Sequence, residues 1–264
     1  MKTMRSIFLA CILISAHLSP LFAQNTDFEI QKYSQRCIDK KTSKLRSRLN
    51  GVFQQTGENT YLLRERGAGN YGELQNIKWE IESKMESKEN LLCPIYTISK
   101  VKNKQGEPIF TLRKDYDYQN QKIIIIKTDP QQNVIDSAEF PLKNNTADFV
   151  TLVFSLKPFI QKADKKETVR FNLLSSEPQL YKIIARFEKE EKIKIDAREI
   201  EAIKIRLTLD KGMLNLILAK LIRPAFIWYE KDPPHAWLKY EGLESGKHSP
   251  YVIIETMPYG PKLD

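Results

Sequence analysis

The chain has 264 residues, of which 41% are apolar and 10% aromatic, and its 42 basic and 33 acidic side chains give a net charge of +9. This hydrophobic content excludes a disordered or collagen-like chain, and three cysteines are too few for a disulfide-based scaffold. A folded globular protein remains, and the length permits one large β domain or two smaller units.

The first 23 residues follow the three-part pattern of a secretory signal peptide. A head with two bases precedes the apolar run Ile7–Ile14, and the segment Ser19-Pro20-Leu21-Phe22-Ala23 follows before Gln24. Because the apolar run is too short to cross a bilayer, we expect cleavage between Ala23 and Gln24 and export to the periplasm. The alternative is a lipoprotein anchored through Cys11.

Positive charge is concentrated directly after this leader, in residues 31–48. The leader removes two bases and leaves +7, and this segment supplies +6 of that charge. Export and the lack of an aromatic platform among the bases argue against a nucleic-acid partner. The functional interpretation is contact with an anionic surface or an envelope protein, and the alternative is a solvated arm or helix face. The seven bases are Lys32, Arg36, Lys40, Lys41, Lys44, Arg46 and Arg48.

Export also changes the meaning of the cysteines. Without Cys11, Cys37 and Cys93 form an even pair in an oxidising compartment, where disulfides persist. We predict a bridge between them, which would stabilise the fold by about 4 kcal/mol in the chain-entropy model. The alternative is two buried thiols that do not meet. With no histidine nearby the pair makes no zinc site, and the sequence predicts neither a metal nor a cofactor.

Most of the chain shows the period-two alternation of apolar and polar residues that indicates β-strands. Within residues 24–70 we expect a basic helix followed by a hairpin around residues 55–59. Residues 71–264 are predicted to form one antiparallel β domain, because short polar turns join successive strands. Its strands are predicted over residues 72–84, 95–102, 108–114, 121–127, 134–138, 168–174, 180–187, 192–197, 201–209, 225–229, 236–240 and 251–255.

Two segments depart from this period. An i, i+3, i+4, i+7 pattern of apolar residues predicts a helix that starts near Thr146 and ends before Pro158. The second segment, Gly212–Ile222, is almost entirely apolar, and such a segment is either buried core or a lid over an apolar cavity. One helical face of it would carry Met213, Leu214, Ile217, Leu218 and Leu221.

The sequence offers few candidates for catalysis. The usual serine-nucleophile, zinc and nucleotide-binding patterns are absent. Asp232 could orient His235 as a general base, but Asp-Pro-Pro is typical of an exposed turn. Glu199 and Glu201 share one face of an extended strand and could act as an acid and base pair, or simply be cross-strand partners of nearby lysines. We therefore predict a protein that is not an enzyme.

The order of features from Tyr181 to Glu255 resembles a known family. These features are Tyr181-Lys182-Ile183-Ile184, an acidic turn near Glu190, Ile203-Lys204-Ile205, Phe226-Ile227-Trp228-Tyr229, Asp232-Pro233-Pro234 and a closing strand with Gly242 and Gly246. They are similar to the exported bacterial family called domain of unknown function 3108, over roughly residues 71–256. The chain departs from that pattern because it lacks a glycine between Ala197 and Ala202, and because residues 212–222 look like an added segment.

The resemblance implies a single curved sheet in the cell envelope, similar in outline to lipid and lipoprotein carriers, with no assigned activity. Together with the strand pattern it predicts a mainly β fold, a single large curved antiparallel sheet or half-barrel meander with one or two packed helices. We expect a non-enzymatic binding or carrier module for an apolar or amphipathic ligand, for example a lipid. The alternative is an assembly protein that uses the sheet edge or residues 31–48, and a hydrolase ranks below both. The expected ligand contacts are Met213, Leu214, Ile217, Leu218, Leu221, Trp228 and Trp237.

Overall fold

The computed structural model describes residues 30–162, 167–176, 178–210, 224–245 and 249–258. The predicted signal peptide with its Ala23–Gln24 cleavage site, Cys11 and the apolar segment Gly212–Ile222 lie outside the described residues. Among the described residues, no helix has the length and apolar character needed to cross a membrane.

The first half of the chain forms a meander of eight antiparallel strands, each hydrogen-bonded to the next. These strands are β1 (Ile30–Asp39), β2 (Leu45–Gln55), β3 (Thr60–Tyr71), β4 (Leu74–Lys88), β5 (Leu91–Lys102), β6 (Pro108–Asp117), β7 (Lys122–Thr128) and β8 (Val134–Pro141).

The chain then crosses to the other edge of the same sheet, where a helical segment connects the short edge strand β9 (Thr146–Asp148) to its neighbour β10 (Thr168–Leu174). It consists of a 3₁₀ helix (Phe149–Thr151), α1 (Leu152–Ser155) and α2 (Lys157–Lys162). We call residues 149–162 the helical segment.

Six further strands lead back to the middle of the sheet. They are β10 (Thr168–Leu174), β11 (Leu180–Ile195), β12 (Arg198–Leu209), β13 (Ala225–Glu230), β14 (Trp237–Leu243) and β15 (Tyr251–Met257). β15 pairs with β1, β9 pairs in parallel with β10, and the sheet of 15 described strands is open, with β8 and β9 at its edges. The mainly β fold with a single large sheet is therefore confirmed.

The core lies between the inner face of this sheet and the helical segment. Because side chains alternate between the two faces of a strand, paired residues of successive strands form rows across the sheet. One such row runs through Ile205, Ile227, Tyr240, Ile254 and Cys37, from β12 to β1. The same cluster includes apolar residues of the helical segment, namely Leu152, Leu156, Phe159 and Ile160.

Two local predictions are wrong. Residues 31–48 lie in β1 and β2 at the centre of the sheet rather than in a basic helix, because Tyr33 and Cys37 alternate with polar residues at the strand period. The acidic turn near Glu190 is instead a β-bulge after Phe187 inside one long strand, β11. The hairpin predicted around residues 55–59 is confirmed, since β2 ends at Gln55 and β3 begins at Thr60.

The predicted helix is confirmed, but its bounds are wrong. Regular α-helix begins only at Leu152, after β9 and the 3₁₀ helix, and the helical segment continues past Pro158. Pro158 is the second residue of α2, where the missing backbone N–H would have no intrahelical partner.

Asp148 fixes the helical segment inside the sheet. Its carboxylate is fully buried and accepts hydrogen bonds from Lys114 Nζ, at 3.1 Å to each oxygen, and from the Tyr116 hydroxyl at 2.6 Å. The same carboxylate caps the 3₁₀ helix by accepting the Val150 N–H at 3.1 Å. Burial and the Asp148 charge raise the pKa of Tyr116 well above its ordinary value. One side chain thus joins β9, the helical segment and β6.

We predict that Asp148→Asn lowers the free energy of unfolding by about 3–5 kcal/mol, because the variant leaves the buried Lys114 ammonium without a counter-charge. Urea or guanidinium unfolding followed by circular dichroism measures this loss.

The matched control is Asp115→Asn, which breaks the exposed Arg113–Asp115 pair on the same strand and should cost at most about 1 kcal/mol. Adding Lys114→Met to Asp148→Asn should recover much of the loss. An Asp148→Asn cost no larger than that of Asp115→Asn would contradict the prediction.

Candidate functional site

A partly open cavity of about 100 Å³ lies between the inner face of the sheet and the helical segment. We call it the inner cavity. A single water needs roughly 10–15 Å³ of such space, so the volume suits several waters or a short alkyl chain. Its walls are mostly apolar and include Phe149, Val150, Leu152 and Val153 from the helical segment and Leu49 and Ile81 from the sheet.

Two glycines let aromatic rings lie directly over the sheet beside this cavity. A Cβ atom on Gly51 would lie 2.2 Å from the Tyr33 ring, and one on Gly67 would lie 2.2 Å from the Trp79 ring. Each glycine is the direct cross-strand neighbour of the residue whose ring covers it. The two glycines therefore set how closely Tyr33 and Trp79 approach the backbone.

Glu65 places a carboxyl group in the wall of the inner cavity. The residue is 7% exposed, and its Oε1 accepts a hydrogen bond from the Tyr33 hydroxyl at 2.6 Å. Burial raises the pKa of Glu65 to about 7, although the Tyr33 hydrogen bond acts in the opposite direction. The group is therefore near the midpoint of its titration at neutral pH.

Two further polar groups of the cavity wall lack partners among the described residues. Trp237 is 4% exposed, and its buried Nε1 makes no hydrogen bond. Gln35 is 6% exposed and belongs to the same wall, and no hydrogen bond joins its side-chain amide to another described residue, but its amide is not among the fully enclosed polar groups without a partner. Buried polar groups are nearly always hydrogen-bonded, so the Trp237 N–H is an exception that calls for an explanation.

The other carboxylate that borders the cavity, that of Glu244, already accepts a full set of hydrogen bonds from the protein. Glu244 accepts hydrogen bonds from Arg46 Nε at 2.8 Å and from Arg46 Nη2 at 2.7 Å. It also accepts the Gly72 N–H at 2.8 Å and the Cys37 thiol at 3.5 Å. This buried, bidentate pair ties the loop after β14 to β2 and has no free hydrogen-bonding capacity for a ligand.

The predicted Cys37–Cys93 disulfide is not formed in the structure. Both residues are buried free thiols with different partners, since Cys37 donates to Glu244 and Cys93 donates to the Asn144 carbonyl at 3.2 Å. Burial raises the pKa of both thiols, that of Cys93 to about 11. Each thiol has its own acceptor, as in the alternative interpretation of the sequence.

Among the predicted ligand contacts, Trp237 lines the inner cavity but Trp228 does not. Trp228 lies on the opposite face of the sheet, where its Nε1 donates to Glu191 at 2.8 Å. The ammonium groups of Lys204 and Lys239 lie 5.0 and 5.1 Å from its ring centroid. Met213, Leu214, Ile217, Leu218 and Leu221 lie outside the described residues.

Ion pairs with acidic residues neutralise part of the positive charge of residues 31–48. Three of the seven form ion pairs: Arg36 with Glu255 and Asp196, Lys40 with Glu241, and Arg46 with Glu244. An anionic or envelope-protein partner for this segment stays a prediction.

The catalytic candidates from the sequence lie away from the inner cavity. His235 follows the turn after β13, and its Nδ1 lies 3.1 Å from the Glu230 carbonyl oxygen. Glu199 and Glu201 are exposed on β12 and form ion pairs at 3.0 Å with Lys192 and 3.4 Å with Lys231. No group of three or more potential metal-binding side chains occurs in the described residues.

Sequence reasoning missed Gln35 and Glu65. For Glu65 a signal existed, because it falls between Leu63 and Gly67 on the inward-facing positions of β3. A charged residue in an apolar alternation indicates either a buried pair or a site.

The fold and the cavity define a class of protein in which one large antiparallel sheet curves around a helical segment and leaves an apolar cavity beside it. Residues 68–263 match the model of the family described as "Protein of unknown function (DUF3108)", and the chain belongs to this family. The resemblance seen in the sequence is therefore confirmed.

Among solved structures, the chain is similar to a "Beta-barrel-like Protein of Domain of Unknown Function DUF1849 from Brucella abortus". The two are 11% identical, the similarity covers 87% of this chain and 95% of the other, and the TM-score is 0.48. No curated protein matches.

We predict that Glu65 makes stability fall as pH rises from about 4.5 to about 7. Below this window the carboxyl is protonated in both the folded and the unfolded chain. Within it the unfolded chain loses the proton first, so the folded state loses up to about 3 kcal/mol relative to a variant that cannot ionise. Urea unfolding of the wild type and Glu65→Gln across this range measures the difference.

Glu58→Gln is the control, since Glu58 is exposed in the β2–β3 turn. Its stability difference from the wild type should vary little over the same pH range. If the Glu65→Gln and Glu58→Gln differences follow the same curve, the prediction is wrong.

Proposed function

We propose that the protein is a non-enzymatic binding module of the cell envelope whose inner cavity takes the apolar part of a small amphipathic ligand. The observation that carries this proposal is the apolar cavity between the helical segment and the sheet, with a buried carboxyl in its wall.

The composition of the cavity supports binding. Protein interiors are close-packed, so a space of this size beside buried polar groups is unusual in a domain core. Ligand sites are concave, mostly apolar and contain a few placed polar groups. The inner cavity combines apolar walls with Glu65, Gln35 and Trp237. The signal-peptide pattern of residues 1–23 supports the envelope location.

The chemistry of the wall favours binding over reaction. The Cys37 thiol has a pKa raised by burial and by Glu244, and a protonated thiol is a poor nucleophile. The Glu244 carboxylate is occupied by Arg46 and Gly72. Among the described residues, the Glu65 carboxyl is hydrogen-bonded to the Tyr33 hydroxyl, which is not a nucleophile when its pKa is raised well above its ordinary value.

A second candidate function, assembly through the sheet edge, is favoured by one observation. Among the described strands, β8 is an edge strand that pairs with β7, and its residues Val134 and Ile135 are 62% and 54% exposed. Exposed edge strands can accept a strand from a partner. Loss of a cross-linked envelope complex in Val134→Lys/Ile135→Lys would support this function, and an unchanged complex would count against it.

The main proposal predicts that affinity depends on the length of the ligand's alkyl chain. Affinity for n-alkanols should rise about fourfold per methylene, because each buried CH₂ contributes about 0.8 kcal/mol, and should level off when the chain fills the cavity. Fluorescence of Trp79 and Trp237, which line the cavity, or calorimetry measures the affinity.

Ile81→Phe should move this plateau to shorter chains, since Ile81 lines the cavity. Ile98→Phe is the matched control on the adjacent strand, where Ile98 pairs with Glu82 and faces away from the cavity. Absence of saturable alkanol binding by the wild type, or an equal effect of both variants, would rule out the proposal.

A further inference from the structure

We infer that the ligand of the inner cavity is a neutral amphipathic molecule whose polar end is a hydroxyl group that accepts from Trp237, in a wall that also contains Gln35 and Glu65. This inference rests on the proposed binding function and names the class of ligand.

Trp237 requires a hydrogen-bond acceptor. An indole N–H can only donate, and a buried tryptophan usually has a partner for it. The chain provides such a partner for Trp228, whose N–H donates to Glu191, but none among the described residues for Trp237. Since Trp237 lines the cavity, an acceptor on a ligand is the natural partner.

Gln35 can serve the same polar group from β1. Its amide has two donors and one acceptor, the residue is 6% exposed, and no hydrogen bond joins the amide to another described residue. Like Trp237, it belongs to the cavity wall.

Glu65 limits the charge that the polar end of the ligand can carry. One of its oxygens is bound by Tyr33, and no described basic residue pairs with the carboxyl. An ionised Glu65 needs a donor and a protonated Glu65 can give one. A hydroxyl group suits both states because it donates and accepts.

The other common polar ends fit less well. A carboxylate could accept from Trp237 but would place a second negative charge beside Glu65. An ammonium could pair with Glu65 but has no lone pair for Trp237. A purely apolar end would leave the buried Trp237 N–H without a partner, and a buried unsatisfied group is costly.

The remaining titratable groups around the cavity do not change this conclusion. Glu244 is neutralised by Arg46. The Tyr71 hydroxyl is hydrogen-bonded to Ser176 Oγ at 2.7 Å, and the Cys37 thiol donates to Glu244. None of these three presents a free charge to a ligand.

The test compares n-hexanol, hexanoate and hexylamine on the purified chain at pH 8 by calorimetry. The wild type should bind n-hexanol at least about tenfold more tightly than either charged analogue. Glu65→Gln should reduce the discrimination against hexanoate, because it removes the like charge.

Trp237→Phe keeps an aromatic ring in the wall and removes the N–H. It should weaken n-hexanol binding about tenfold while the unfolding midpoint stays equal to that of the wild type or rises. Trp228→Phe is the control: it removes an N–H that already has a partner on the outer face, so n-hexanol affinity should not change.

Equal affinities for the three analogues in the wild type would overturn the hydroxyl inference, even if the dependence on alkyl chain length is retained and the binding function stands. This comparison needs no variant and therefore does not depend on whether Trp237→Phe folds. Failure of all three analogues to bind would overturn the binding function itself.

Discussion

The buried Asp148 carboxylate is the interaction on which the arrangement of the molecule depends. β9 is one edge of the sheet, and β6 is the third strand from the other edge. By accepting from Lys114 and Tyr116, Asp148 connects these distant strands across the inside of the sheet. The same residue caps the helical segment, so the curvature of the sheet and the position of one wall of the cavity have a common origin.

The buried polar groups of the core and of the inner cavity differ in how completely they are hydrogen-bonded. Asp148 has four hydrogen bonds, and Glu244 is bound by Arg46, Gly72 and Cys37. In the wall of the inner cavity the buried Trp237 N–H has no partner among the described residues, and the Glu65 carboxyl has one. Because unsatisfied burial costs free energy, Trp237 is the group of this wall that most requires a partner under the proposed function.

The sequence predicted the strands well because a half-buried strand repeats every two residues, whatever lies on top of it. It could not predict that β15 pairs with β1, since pairing between chain ends depends on how the whole sheet curves. It also misjudged the acidic run before Glu191. A run of acidic residues is typical of a turn. In β11, however, these side chains form ion pairs with residues such as Arg206 and Lys231, and the strand continues through them.

The candidate site was less predictable than the strands, because its residues come from elements that are far apart in the sequence. The cavity walls come from β1–β4, β14, β15 and the helical segment, and no short stretch of sequence contains that combination. Trp237 was identified as an aromatic in a strand, yet its significance comes from the missing partner at Nε1, which only tertiary structure reveals. Glu65 was detectable as a break in an apolar alternation, but Tyr33, which binds it, is 32 positions away.

The extent of the family match bears on the origin of selectivity. The matched residues, 68–263, include the helical segment and Trp237, and therefore one wall of the inner cavity and one of its polar groups. Gln35 on β1 and Glu65 on β3 precede the match. The match therefore covers the helical wall and most of the sheet, but not β1, β2 and most of β3. Under the proposed function, a charge preference set by Glu65 would arise in the strands that precede the matched region.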